Sequence, residues 1–133
     1  MSNQAKMSKQ ILIIDDDPIY RMIVSKTIER IDIEMQIEHC ENGQCGLDLL
    51  KELSTTDKPI IVLLDINMPL VNGWDFLELI IQNKFYDISA LSIYIVSSST
   101  DESDLIKAKK YNFLKGFVHK PIHKEELLVI FSK

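Results

Sequence analysis

The sequence is poor in cysteine and has no long apolar run. Its 133 residues include only two cysteines, Cys40 and Cys45, and their spacing is not Cys-x-x-Cys. Neither a cysteine metal site nor a redox motif is predicted, and we expect two ordinary thiols in a cytoplasmic protein. No stretch approaches the roughly 18 apolar residues that a transmembrane helix needs, so we expect no membrane association.

The chain also lacks an excess of basic residues. It has 15 Lys and Arg against 20 Asp and Glu, a formal net charge of −5. Nucleic-acid-binding domains usually present a basic face, so we expect no direct contact with nucleic acid. Residues 1–9 are polar and have no signal-peptide core, which predicts a disordered tail before a single domain over residues 10–133.

Uninterrupted apolar runs are the main structural signal. Residues 11–14 and 61–64 are apolar, rich in β-branched side chains and followed directly by acid. Such runs are typical of strands buried on both faces of a parallel sheet. Shorter patterns predict three further strands, near residues 35–40, 91–96 and 116–119.

Helices are predicted between and after these strands. Asp17 and Pro18 are a favourable N-cap and first helical residue, so the first helix should begin there. Further helices are predicted after Asn42-Gly43, after Asn72-Gly73, over residues 101–112 and from about His123. Trp74, Leu77, Ile80 and Ile81 mark the helix after Asn72-Gly73. In the last two helices the residues expected to face inward are Leu105, Ile106 and Ala108, and then Leu127, Leu128 and Phe131. This alternation predicts an α/β fold, a doubly wound five-stranded parallel sheet with helices on both faces.

Polar side chains follow four of the predicted strands. They are Asp15, Asp16 and Asp17 after the first strand, Asp65 after the third, Ser97 after the fourth and Lys120 after the fifth. The carboxyl ends of parallel strands share one edge of the sheet, where ligands bind. Two carboxylates 4 Å apart repel by about 4 kcal/mol at an effective dielectric constant of 20, and a divalent cation removes that cost. Mg²⁺ prefers oxygen ligands, so a cluster of carboxylates suits it. A carboxylate beside the bound metal can then act as a nucleophile towards a phosphoryl group.

In order along the chain, these motifs resemble those of response-regulator receiver domains of two-component signalling. The resemblance covers residues 10–133 and rests on four segments: Ile-Asp-Asp-Asp-Pro at 14–18, Leu-Asp-Ile-Asn-Met-Pro at 64–69 with Asn72-Gly73, Val-Ser-Ser at 96–98 and Val-His-Lys-Pro at 118–121. It implies a flavodoxin-like (βα)₅ fold with sheet order 2-1-3-4-5.

The resemblance also implies a role for each site residue. Asp65 would be the phosphoacceptor, supplied by a histidine kinase or a histidine phosphotransfer protein. Mg²⁺ would be held by Asp16, Asp65 and the backbone carbonyl of Asn67, with Asp15 acting through a water molecule. Lys120 and Ser97 would contact the phosphoryl group, Ser97 and Phe117 would form the switch, and Pro121 would follow a cis peptide bond. The domain would catalyse only its own phosphorylation and dephosphorylation, and an unknown downstream protein would bind the face formed by helix four, strand five and helix five.

Three other interpretations explain fewer of these residues. A haloacid-dehalogenase-like Mg²⁺-dependent phosphatase would use Asp15 as its nucleophile, but it leaves Asp65 without a role, and the chain is short for such a core and cap. A flavodoxin-like binding module should have a hydroxyl- and glycine-rich loop after the first strand. A degenerate receiver that only binds a partner would not need the acidic, hydroxyl and lysine residues, all of which this chain has. The chain departs from the best-known receiver pattern in having serine at position 97 and phenylalanine at position 117.

Overall fold

One parallel sheet with helices on both faces forms the fold. The structure is a computed structural model and describes residues 10–53, 58–83 and 87–132. The tail predicted at residues 1–9 lies outside the described residues. The strands are β1 (Gln10–Ile14), β2 (Gln36–Cys40), β3 (Ile60–Leu64), β4 (Leu91–Ser97) and β5 (Gly116–His119). The helices are α1 (Pro18–Ile31), α2 (Gly43–Leu53), α3 (Gly73–Asn83), α4 (Glu102–Ala108) and α5 (Lys124–Phe131).

The strand order is β2-β1-β3-β4-β5, and every pairing is parallel. This confirms the predicted fold class and sheet order. The order reverses at β1, whose neighbours are β2 on one side and β3 on the other. Ligands of doubly wound sheets bind beside such a reversal, at the carboxyl ends of the strands. The fold therefore predicts a ligand-binding site at the carboxyl ends of β1 and β3.

Two apolar clusters pack on opposite faces of the sheet. Alternate residues of β1 serve each cluster, as its side chains point to opposite faces in turn. Ile11 and Ile13 pack with residues of α1 and α5, whereas Leu12 and Ile14 pack with residues of α2 and α3. Both faces of the central strands are therefore buried, as their continuous apolar sequences predict.

The predicted inward faces of α4 and α5 need correction. In α3 the buried positions are Gly73, Phe76, Leu77 and Ile80, so the apolar residues that mark this helix in the sequence include two of its buried positions, whereas Ile81 is 36% exposed. In α4 no residue is buried, and Leu105 and Ile106 are 44% and 53% exposed. In α5 Leu128 is 45% exposed, and Ile130 occupies the buried position. The buried positions of α3 are spaced i, i+3, i+4 and i+7, and Ile81 lies at the edge of this stripe.

Helix α4 is also shorter than predicted. It ends at Ala108 instead of Asn112. The backbone N–H groups of Lys110 and Tyr111 donate to the carbonyls of Lys107 and Ala108, so the last helical bonds tighten to an i to i+3 pattern. The two-turn helix is too short to bury a stripe of its own, so Leu105 and Ile106 stay at the surface, and only Ala108 of the three predicted residues packs against the core, where it is partly buried.

Cys40 and Cys45 form a disulfide bond in the structure, so the expectation of two free thiols is wrong here. Their Cα atoms are 5.5 Å apart, within the range that a disulfide requires. The side chain of Asn42 accepts a hydrogen bond from the backbone N–H of Cys45 at 2.8 Å and so tightens the turn from β2 into α2. This turn brings together two cysteines whose spacing in sequence matches no redox motif.

Candidate functional site

The hydrogen bonds of the sheet continue one residue past β1 and β3. The backbone N–H of Asp15 donates to the carbonyl of Cys40 at 2.9 Å, and that of Asp65 donates to the carbonyl of Ile14 at 2.9 Å. These bonds hold the two aspartates side by side at the carboxyl edge of the sheet. Both are buried, Asp15 at 2% exposure and Asp65 at 5%.

Asp15, Asp16 and Asp65 form an acidic cluster. Each offers a carboxylate oxygen, and these oxygens lie within 4.8 Å of one another. Asp16 is exposed, so the cluster opens to solvent on its side. Asp17 serves α1 instead, because its side chain accepts hydrogen bonds from the N–H groups of Ile19 and Tyr20, as expected of an N-cap.

Lys120 supplies a positive charge to the cluster. Its Nζ lies 2.7 Å from Oδ2 of Asp15 and 3.5 Å from Oδ2 of Asp65. Its backbone N–H donates to the carbonyl of Ser97 at 2.9 Å, and the peptide bond to Pro121 is cis. The end of β5 is thereby tied to the end of β4, and the lysine side chain reaches across to β1 and β3.

Burial and charge oppose each other at Asp65. Desolvation raises the pKa of the Asp65 carboxyl, and the neighbouring Asp15 adds to the rise. A hydrogen bond from the Asn67 N–H, at 3.2 Å, and the Lys120 ammonium act in the other direction but do not cancel it. For Lys120, burial alone would lower the pKa, but the hydrogen bond to Asp15 and the charges of both aspartates outweigh it and raise the pKa. At Asp65 burial therefore outweighs the positive charge that Lys120 supplies, and the pKa of the carboxyl stays raised.

Ser97 is fully buried at the end of β4 and is linked to α4. Its hydroxyl oxygen accepts a hydrogen bond from the backbone N–H of Ser99 at 3.0 Å, and the Ser99 hydroxyl donates to Oδ2 of Asp104 at 2.6 Å. Phe117 in β5 is partly buried against the cluster that contains β3 and α3. A short chain of contacts thus runs from Ser97 into the first turn of α4.

Two site neighbours on α1 were not foreseen from the sequence. The ring of Tyr20 lies under Lys120, with Nζ 4.6 Å from the ring centroid. The Arg21 guanidinium donates to the backbone carbonyl of Asp15. Both residues lie in the first turn of the helix that Asp17 caps. Their closeness in sequence to the acidic motif was the only hint in the sequence that they lie near the site.

The donor set fits a hard divalent cation. Three carboxylates face one ammonium, and Mg²⁺ prefers oxygen ligands while keeping several waters. The exposed side at Asp16 leaves room for those waters. The acidic cluster is therefore able to hold a metal ion of this kind.

Fold and site together define a doubly wound α/β domain with an acidic, lysine-paired pocket at its switch point. The family model described as the response regulator receiver domain matches residues 11–132, and the chain belongs to that family. It is 32% identical over 127 residues to the chemotaxis protein CheY of Thermotoga maritima, covering 96% of this chain and 98% of that protein. It is also similar to the nitrate/nitrite response regulator protein NarL of Escherichia coli K12, at 31% over 128 residues, 96% of this chain and 54% of that protein.

A solved structure is similar along nearly the whole length. The two component response regulator from Cytophaga hutchinsonii superposes with a TM-score of 0.84 and 28% sequence identity, covering 96% of both chains. Receiver domains are signalling domains of two-component systems rather than ordinary enzymes, and they act with histidine kinases and downstream effectors. The dehalogenase-like phosphatase alternative finds no support in these comparisons. No helix within the described ranges is long and apolar enough to cross a membrane.

Proposed function

We propose that this receiver domain accepts a phosphoryl group on Asp65 in a Mg²⁺-dependent reaction. The donor is a phosphohistidine of a histidine kinase or of a histidine phosphotransfer protein. The observation that carries the proposal is the position of Asp65, buried at the end of the central strand β3 with Lys120 at 3.5 Å and two further carboxylates within 4.8 Å.

The hydrogen bonds favour Asp65 over Asp15 as the acceptor. Both oxygens of Asp15 are engaged at short distance, Oδ1 by the N–H of Asp17 at 2.9 Å and Oδ2 by Lys120 at 2.7 Å. Among the described residues, the polar contact of Asp65 Oδ2 is the longer one to Lys120, at 3.5 Å. This oxygen is therefore the freer nucleophile. In the transfer its lone pair forms the new O–P bond, the P–N bond to the donor imidazole breaks, and the ring nitrogen keeps that electron pair.

The residues around Asp65 have separate tasks. Asp16, Asp65 and the Asn67 carbonyl would hold the metal, with Asp15 acting through a water molecule. When bound, Mg²⁺ would neutralise the negative charge on the phosphoryl oxygens during the transfer. Lys120 supplies a second, compact positive charge to the same oxygens.

Ser97 and Phe117 would pass the change of state to the surface. An aspartyl phosphate adds strong acceptor oxygens and negative charge. Ser97 would answer by turning its hydroxyl towards those oxygens, which releases the Ser99 N–H and disturbs the Ser99–Asp104 bond at α4. Phe117 would then turn inward and fill the space that this movement leaves beside β4. Because phenylalanine has no hydroxyl, burial alone would stabilise that inward orientation. Phosphorylation then shifts a two-state equilibrium.

The face formed by α4, β5 and α5 is the proposed output surface. It carries exposed apolar side chains, Leu105 and Ile106 on α4 and Leu128 and Val129 on α5. An open cleft of about 430 Å³ lies beside Phe117 and is flanked by Lys109 and Lys115. We propose as its occupant a downstream protein segment with apolar side chains flanked by carboxylates, because the two lysines would complement such charges.

The phosphotransfer proposal is tested by labelling with acetyl phosphate and Mg²⁺. The wild type should gain one phosphoryl group by intact mass, and Asp65→Asn should gain none. Asp48→Asn, at an exposed aspartate on α2, is the matched control and should label like the wild type. Undiminished labelling of Asp65→Asn, or loss of labelling only in Asp15→Asn, would overturn the assignment.

A further inference from the structure

The Lys120 ammonium has three close partners, and only two of them are carboxylates. Asp15 and Asp65 lie 2.7 Å and 3.5 Å from Nζ, and the third partner is the ring of Tyr20, whose centroid is 4.6 Å away. A cation within about 6 Å of a ring centroid is attracted to the face of the ring. The lysine side chain is 18% exposed, so this contact with the ring is partly shielded from solvent.

Tyr20 is itself held in place from both ends. Its body packs against the apolar cluster formed by β1, α1 and α5. Its hydroxyl accepts a hydrogen bond from the backbone N–H of Ile122 at 3.3 Å, two residues beyond Lys120. The same side chain therefore contacts the loop that carries the lysine and the lysine's charged end.

We infer that Tyr20 is a positioning residue, which holds the Lys120 ammonium between Asp15 and Asp65 so that it can reach the phosphoryl oxygens on Asp65. The inference rests on the proposed phosphotransfer function. Asp15 is the nearer carboxylate and would by itself draw the flexible lysine towards β1. The ring is fixed by its own packing and by its bond to Ile122, so its attraction for the ammonium is a further restraint that keeps Nζ within reach of both carboxylates.

Two variants separate the ring from the hydroxyl. Tyr20→Leu removes the aromatic face and should slow phosphorylation by acetyl phosphate by at least about two- to fivefold, the range of a cation–π contact at an exposed site. Tyr20→Phe keeps the face and loses only the Ile122 hydrogen bond, so it should label within about twofold of the wild type. The matched control is Val24→Ala, a buried position in the same cluster one turn along α1. It should lose stability but not rate.

A second readout is independent of phosphotransfer. The ε-methylene protons of Lys120 lie near the ring face, so their NMR signals should be shifted upfield in the wild type and in Tyr20→Phe, and should return to ordinary lysine values in Tyr20→Leu. A wild type that fails to label overturns the proposed function, while these shifts still report the contact. Wild-type labelling rates in Tyr20→Leu, or unchanged Lys120 shifts in that variant, overturn the inference about Tyr20. A loss of rate in Val24→Ala equal to that in Tyr20→Leu overturns it as well.

Discussion

Removing one charge at a time from the acidic pocket should change the stability of the metal-free protein in opposite directions. Lys120→Met removes the cation and leaves Asp15 and Asp65 buried without a counter-charge. Asp65→Asn removes one of the carboxylates and keeps its size. If the pocket is short of positive charge, the first change should lower the free energy of unfolding, and the second should leave it unchanged or raise it.

The distances set the scale of the first effect. At an effective dielectric constant of 20, attraction across 2.7 Å and 3.5 Å amounts to about 6 and about 5 kcal/mol. The cost of desolvating the charges offsets most of this, and removing one partner of a buried ion pair typically costs about 3–5 kcal/mol. The lysine side chain keeps 18% of its surface exposed, so we expect Lys120→Met to lose about 3 kcal/mol.

The pKa of Asp65 sets the sign of the second effect. Burial raises it above the ordinary value of 3.8, so the folded state binds the proton more tightly than the unfolded state. The stability that this gives is present below pH 3.8 and is lost as the pH rises through the raised pKa. Each unit of such a shift is worth about 1.4 kcal/mol. At pH 7 Asp65→Asn should therefore be at least as stable as the wild type, and it should lack this step in its pH profile.

Urea denaturation at pH 7 with a chelator, followed by titration with Mg²⁺, measures both effects. Mg²⁺ should stabilise Lys120→Met and the wild type, and Asp65→Asn far less. Asp48→Asn is the surface control and should change little. If Asp65→Asn loses as much stability as Lys120→Met, the ion pairs are a net stabilising feature and the charge argument is wrong.

Two further predictions concern the surroundings of the site. In Gly73→Ala the added Cβ would lie 2.7 Å from the backbone carbonyl oxygen of Asp65 and 2.7 Å from Cα of Ile66, so the variant should lose about 1–3 kcal/mol in urea denaturation. In the control Gly116→Ala the nearest atom is a Tyr94 side-chain carbon at 3.2 Å, so it should lose less, and equal losses would contradict this reasoning. Ser97→Ala should still accept phosphate but lose most of the amide shift changes over residues 105–120 that the wild type shows on phosphorylation, and a wild-type response would exclude the route through Ser97.

The sequence predicted the sheet well because buried parallel strands have a distinct pattern. The runs before Asp15 and Asp65 are apolar without a break, and no surface strand or amphipathic helix would carry them. Once these strands were predicted, the location of the polar residues that follow them could be predicted as well, because parallel strands place their carboxyl ends on one edge of the sheet. The sheet order and the roles of the polar residues came from the resemblance to receiver domains rather than from periodicity.

Helix faces and cross-chain contacts were less accessible from the sequence. Apolar residues in α4 were assigned to the core because apolar side chains usually are, yet Leu105 and Ile106 belong to a two-turn helix without a buried stripe. Apart from its place beside the acidic motif, Tyr20 gave no signal of its role, because its contact with Lys120 joins residues a hundred positions apart. The Cys40–Cys45 disulfide depends on how tightly the β2–α2 turn closes, which spacing alone does not reveal.

The central claim is that Asp65 carries the phosphoryl group, and borohydride trapping tests it most directly. Borohydride reduces an acyl phosphate, but not a free carboxylate, to the corresponding alcohol, so a phosphorylated aspartate is converted to homoserine. After phosphorylation with acetyl phosphate and Mg²⁺, peptide mapping should find homoserine at position 65 alone. Homoserine at position 15, with an unmodified residue 65, would contradict the account.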